Sequence, residues 1–145
     1  MRKGDWWLLG ACLLLSAAGL LLAGLDRPAP AAEGPLYARV QVDEATRAVL
    51  PLDHEATYVI ATANGGENRL HVTPESIRME SANCHNQLCV LQGTVTRESA
   101  ELRPLGALIV CAPHKVVCEL LTAAQAAELG ELPGGAAIRE EGPNE

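Results

Sequence analysis

The residues able to do chemistry crowd into Cys84-His-Asn-Gln-Leu-Cys89 and Leu108-Ile-Val-Cys111-Ala-Pro-His114-Lys-Val-Val-Cys118. Thiols in such a set can form disulfides, exchange electrons or hold a soft metal. Four cysteines allow three pairings. A Cys84–Cys89 bond closes a short loop and stabilises by about 2 kcal/mol in the chain-entropy account, and a Cys89–Cys111 bond by about 3.5 kcal/mol. Cys111 and Cys118 flank a hairpin turn. With that turn centred near Pro113–His114 they do not lie opposite each other, which makes a bond between them geometrically poor. The leading pairing is therefore Cys84–Cys89, with Cys111 and Cys118 either free and buried or joined through an irregular turn.

The same atoms admit sharper uses. Cys84, Cys89, Cys111 and His114 have a spacing that could make a zinc site of three sulfurs and one nitrogen. His85, beside Cys84, could lower a thiol pKa and make it reactive. Against redox chemistry, there is no Cys-x-x-Cys opening a helix in a βαβ unit. The expectation is a structural disulfide with no metal or other cofactor, His85 and His114 being potential ligands only. No catalytic residue is expected. Ser76, Ser81 and Ser99 lack a Gly-x-Ser-x-Gly context, and no phosphate-binding glycine loop is present. His71 falls on the polar phase of a strand and reads as solvated. His54, between Asp53 and Glu55, reads as a loop histidine able to titrate.

The compartment that would keep such a disulfide follows from the N-terminus. Arg2 and Lys3 precede the uncharged run Trp6–Leu25. At about 1.5 Å per helical residue this run matches a bilayer core of about 30 Å, and the leading positive charges favour an N-terminus inside. A cleaved signal is the competing reading, with Ala29-Pro-Ala31 as a small-residue site. Either way the remainder is placed outside the cytoplasm, where disulfides persist. The expected organisation is a cytoplasmic stub at 1–5, a transmembrane helix at 6–25 and a Pro/Ala-rich linker at 26–35. A β-domain follows at 36–121, then a short helix and disordered acidic tail at 122–145. A net charge of −7 argues against nucleic acid as a partner. The expected partners are the membrane, through residues 6–25, and an envelope protein.

Short alternating segments must position the cysteines. Leu36–Val42, Thr46–Leu50, Glu55–Ala61, Asn68–Thr73, Ser76–Glu80 and Val116–Leu121 read as strands. Asn64-Gly65-Gly66 reads as a turn. Asn83–Leu88 suits one helical turn, Val90–Thr96 re-enters the sheet, Arg97–Pro104 is a surface loop, and Leu105–Val110 reads as a strand buried on both faces. Thr122 caps a helix running to about Leu129. The fold class is all-β, a small antiparallel sandwich or barrel behind one N-terminal transmembrane helix. With no Phe in the chain, the core must be aliphatic and a covalent staple would help it.

These residues resemble a known family. The Arg-Lys-Gly-Asp start, the single apolar helix, Cys84-x4-Cys89-Val90, Gly93 and Ile109-Val-Cys111-Ala-Pro-His114-Lys-Val-Val117 resemble the small membrane-anchored bacterial members of the NusG domain II-like family. The resemblance implies a compact all-β domain and carries over Cys84, Cys89 and Cys111, an odd number that suggests one disulfide and one buried thiol. It does not imply transcription. Some members are encoded near flavin-transfer and membrane electron-transport proteins. Three departures stand out: Ala112 replaces a usual Leu, His114 replaces a usual Asn, and Cys118 is extra. The functional expectation is a non-enzymatic, membrane-anchored extracytoplasmic domain that binds or scaffolds an envelope partner. The alternative is a thiol-redox or cofactor-handling accessory of a membrane electron-transport or flavin-transfer system.

Overall fold

The structure is a computed structural model describing residues 12–16, 34–130 and 138–141. The chain divides into Met1–Ala32 and Glu33–Glu145. In the first unit residues 12–16 are helical, and Leu13, Leu14 and Leu15 are exposed. No described helix is long and apolar enough to cross a membrane. The rest of the expected span at 6–25, the stub at 1–5 and most of the linker lie outside the described residues.

The second unit is all-β, with two antiparallel sheets and three short helices among the described residues. Its strands are β1 (Leu36–Val42), β2 (Ala45–Pro51), β3 (Ala56–Ala61), β4 (Glu67–Thr73), β5 (Ser76–Ala82), β6 (Val95–Thr96), β7 (Leu108–Cys111), β8 (Val116–Thr122) and β9 (Ile138–Glu141). One sheet has the order β2-β1-β8-β7 and the other β6-β5-β4-β3-β9. Alternation in the sequence puts one row of β1, β4 and β7 inward. In β1 this row is Leu36, Ala38, Val40 and Val42, in β4 it is Asn68, Leu70 and Val72, and in β7 it is Ile109 and Cys111. These rows form one core with Ile60, Ile77, Met79 and Val95. Lacking Phe, the core fills its volume with Val, Ile and Leu, with Tyr58, one methionine and four cysteines.

Turn chemistry fixes the registers. Val42 pairs with Ala45, so Asp43 and Glu44 form a two-residue turn, both left-handed at φ 51° and 66°. That is the geometry a twisted hairpin prefers, although Asn-Gly meets it more easily. The Asp43 N–H donates to the Lys115 carbonyl at 3.1 Å, and the Lys115 ammonium lies 3.1 Å from the Asp43 carboxylate. This clasp joins the β1–β2 turn to the β7–β8 turn. Between β3 and β4, Gly65 adopts φ 80° and Thr62 N–H donates to the Gly66 carbonyl at 2.8 Å.

Several segments differ from the sequence expectation. Leu105–Val110 does not make a strand buried on both faces. Only Leu108–Cys111 is extended, at the edge of its sheet, with Leu108 and Val110 half-buried. The Gln92 side chain takes the place of a neighbouring strand there. Its amide oxygen accepts from Val110 N–H at 2.8 Å and its NH₂ donates to the Val110 carbonyl at 2.7 Å, so the edge is closed without a strand. Val90–Thr96 contributes only the two residues of β6, because Leu88–Leu91 instead forms α1. Arg97–Pro104 is not wholly loop: α2 (Arg97–Ala100) begins with a reciprocal Thr96–Ser99 capping box. Thr122 caps α3 (Ala123–Glu128) as expected. Beyond it the tail was expected to be disordered, yet Ile138–Glu141 pairs with β3. Arg69 anchors this strand through a two-pronged bond to Glu141, at 2.6 and 2.8 Å. Residues 131–137 and 142–145 lie outside the described residues.

Candidate functional site

The cysteines converge from three separate places. Cys84 lies in the loop after β5, Cys89 is on α1, and Cys111 ends β7. All three are buried, and their sulfurs lie within 4.8 Å of one another. Cys84 Sγ and Cys89 Sγ are 3.6 Å apart and the thiols are free. The loop that presents them is tied to itself: Gln87 Nε2 donates to the carbonyls of Ala82 and Cys84 at 2.6 and 2.7 Å. Gln87, left-handed at φ 51°, turns the chain into α1. α1 rests against both β5 and β7, so the cluster sits at the seam between the two sheets.

The thiols are not equivalent. Burial pushes the Cys84 thiol up, but hydrogen bonds from the Cys89 and Cys111 thiols and from the Gln87 and Asn86 backbone N–H groups outweigh it, leaving its pKa below the ordinary value. Cys89 is pushed up to about 12, first by burial, then by its hydrogen bonds to Cys84 and Cys111 and by their charges. Cys118 is pushed up to about 12, first by burial and then by the charges of Cys111 and Cys89. It stands opposite Ile109 while Cys111 stands opposite Val116, so the two cysteines are offset along the hairpin, as the turn position predicts, and Cys118 is outside the cluster.

Two polar side chains are buried with the sulfurs. Asn68 is wholly buried and His114 is 8% exposed. They are joined by a 2.6 Å hydrogen bond from His114 Nδ1 to Asn68 Oδ1. An amide oxygen can only accept, so Nδ1 carries the hydrogen. The Asn68 NH₂ points at two sulfurs, Met79 Sδ at 3.6 Å and Cys89 Sγ at 3.9 Å. The His114 ring packs against Gly66, where a side-chain carbon would meet the ring at 2.6 Å and Thr62 Oγ1 at 2.5 Å. The four-ligand site of Cys84, Cys89, Cys111 and His114 is therefore not assembled: the sulfurs converge, while the imidazole is turned to Asn68. His85 is exposed and stands outside the cluster. Asn68 escapes sequence reasoning, since one polar residue on the apolar phase of a short strand resembles an irregularity. That misplaced phase was the only signal available.

A second polar group lies on the outer face of the β3 sheet. His54 Nδ1 pairs with Asp53 at 2.5 Å and Nε2 with Glu140 at 3.4 Å. These hydrogen bonds, Asp53 first, raise the His54 pKa, and the same contact lowers that of Asp53. His71 is not simply solvated: its ring bridges Thr57 Oγ1 and Glu55, both at 3.3 Å.

The family model for NusG domain II matches residues 8–124. A DUF1312 family protein from Enterococcus faecalis is 25% identical and superposes with a TM-score of 0.51, over 61% of this chain and 98% of that one. The Lin0431 protein from Listeria innocua gives the same identity, TM-score and coverage. No functionally curated protein matches.

Proposed function

The chain belongs to the NusG domain II family, and from that premise we propose that it is a non-enzymatic β-domain, anchored by residues 6–25 and facing away from the cytoplasm, that binds an envelope protein. The uncharged run Trp6–Leu25 behind Arg2 and Lys3 supports the anchor and its orientation, and the exposed leucines 13–15 within it support the anchor. One observation carries the binding role. Among the described residues of the β-domain, every large exposed hydrophobic falls between positions 88 and 105: Leu88, Leu91, Leu102 and Leu105. Leu91 is 77% exposed and Leu102 89% exposed, side chains that no core demands and that a partner would cover. A photo-crosslinking residue placed at Leu91 in cells should capture one membrane protein. The same residue at Glu44, on the β1–β2 turn, should not. No product at Leu91, or equal products at both positions, would refute the binding role. Protease added to intact spheroplasts should degrade the β-domain, and protection would refute the orientation.

A second reading is thiol redox, as an accessory to electron or flavin transfer. The 3.6 Å Cys84–Cys89 separation favours it, together with the lowered Cys84 pKa, because the pair can close with little backbone movement. Intact-mass measurement with and without alkylation separates the two readings. An inert Cys84–Cys89 disulfide fits the binding domain, and a pair exchanging at physiological potentials fits the redox accessory.

A further inference from the structure

We propose that Cys84, Cys89 and Cys111, in their reduced form, make a three-coordinate thiolate site for the soft cation Cu(I). Three thiolates bound to one metal at about 2.3 Å stand about 4 Å from one another. Here the sulfurs already lie within 4.8 Å mutually and one pair is at 3.6 Å, so a bound ion needs only small side-chain adjustments. The three come from a loop, a helix and a strand, so no local turn geometry accounts for their meeting.

The number and type of donors select the ion. Structural zinc takes four ligands. No histidine or carboxylate among the described residues completes the cluster, and the His114 Nδ1 is committed to Asn68. A three-sulfur set suits a soft monovalent d¹⁰ ion better than a hard or four-coordinate one. Binding releases the thiol protons to solvent as three copper–sulfur bonds form, with no electron transferred.

Asn68 provides a second, independent indication. It is fully buried, and among the described residues its NH₂ reaches only sulfur. A neutral thiol or thioether is a weak acceptor, so the amide is poorly served in the free protein. A metal-bound thiolate at Cys89 would serve it well. Such N–H···S contacts are the outer-shell support that thiolate sites need, and His114 locks the Asn68 amide in the orientation that supplies one. A Cys84–Cys89 disulfide would remove two of the three donors, so disulfide and metal are mutually exclusive states of one cluster. The inference does not rest on partner binding through the leucines.

The test uses the full chain in detergent, reduced and handled anaerobically, titrated with Cu(I) against a chromogenic Cu(I) chelator. One equivalent should bind, with sulfur-only X-ray absorption fitting three scatterers at about 2.3 Å. Cys84→Ser, Cys89→Ser and Cys111→Ser should each abolish competition with the chelator, and Asn68→Ala should weaken binding about 10-fold. Cys118→Ser should leave it unchanged. No stoichiometric Cu(I), two sulfur scatterers, wild-type affinity in Cys111→Ser, or tighter binding of Zn(II) in parallel would each overturn the proposal. If a serine variant melts early by circular dichroism, the wild-type scatterer count still decides. Crosslinking at Leu91 is a separate readout, so the two proposals can fail separately.

Discussion

Replacing His114 with Ala probes the buried polar pair most directly. The substitution strips Asn68 Oδ1 of a 2.6 Å donor at a residue with no solvent exposure. An orphaned buried acceptor costs about 1–3 kcal/mol. Loss of the ring that packs on Gly66 adds packing and cavity terms, moderated because His114 is near enough to the surface for water to enter. The total is about 2–4 kcal/mol. In a domain of this size each kcal/mol moves the midpoint by about 4–8 °C, so the melt should fall by about 10–30 °C. Asn68→Ala should be destabilising for the reciprocal reason, leaving the imidazole N–H unpaired. The informative measurement is the double mutant, followed by urea unfolding of the full chain in detergent with far-UV circular dichroism. If the hydrogen bond matters, removing both partners costs less than the sum of the singles by about 1–2 kcal/mol. Additivity within about 0.5 kcal/mol would show that His114 acts only as packing, and a His114→Ala variant as stable as wild type would refute the reasoning altogether.

Gly66→Ala should destabilise by about 1–3 kcal/mol, because the added carbon meets the buried His114 ring at 2.6 Å. In the His114→Ala background Gly66→Ala should cost less but not nothing, because Thr62 Oγ1 still stands 2.5 Å from the added carbon, as differential scanning calorimetry can check. Gln92→Ala should cost about 1–3 kcal/mol in chemical denaturation, since it removes two hydrogen bonds to Val110 and reopens the β7 edge. The same variant should aggregate faster in light scattering. The attachment of β9 should depend on pH through His54, whose pKa is raised by Asp53 and Glu140. A raised folded-state value means that the contribution is complete below the unfolded value of about 6.5 and is lost as pH rises through the folded value. Amides of Ile138–Glu141 should therefore gain extra opening in that range, after correction for intrinsic exchange. His54→Gln should abolish the pH step, and an unchanged step in that variant would count against the assignment.

The strands of the β-domain were legible because their apolar residues alternate and their turns carry Gly, Asn, Asp or Pro. Leu36–Val42 and Val116–Thr122 are read almost to the residue. What failed did so for definable reasons. Leu105–Val110 is uniformly apolar, and such a run does not reveal whether it is central or at an edge. Its edge is covered by one glutamine side chain far away in sequence, a substitution no periodicity encodes. Ile138–Glu141 is charged and follows a Gly/Pro-rich stretch, so its composition reads as tail, while its pairing depends on Arg69 and His54, which are close only in the folded chain. The cysteine offset across the β7–β8 hairpin was legible, because the Pro113–His114 turn sets the register. The convergence of Cys84 and Cys89 with Cys111 was not, since it depends on how α1 bridges the two sheets.

That bridging decides what each state of the cluster can do for the fold. A Cys84–Cys89 bond lies within one loop and the helix it enters, so it constrains only a short stretch of unfolded chain, worth about 2 kcal/mol, and joins neither sheet to the other. Cys111 belongs to the β2-β1-β8-β7 sheet, whereas the loop bearing Cys84 leaves the end of β5 in the opposite sheet. Only a link that includes Cys111 spans the seam. A Cys89–Cys111 bond would be the stronger of the two disulfides, at about 3.5 kcal/mol, but it would leave Cys84 unpaired. An ion held by all three sulfurs spans the seam and occupies every thiol, and its stabilisation grows with free ion concentration as mass action requires. The melting temperature of the reduced chain should therefore rise with Cu(I), while in the oxidised chain it should not respond. An equal response in both forms would mean that the ion binds elsewhere.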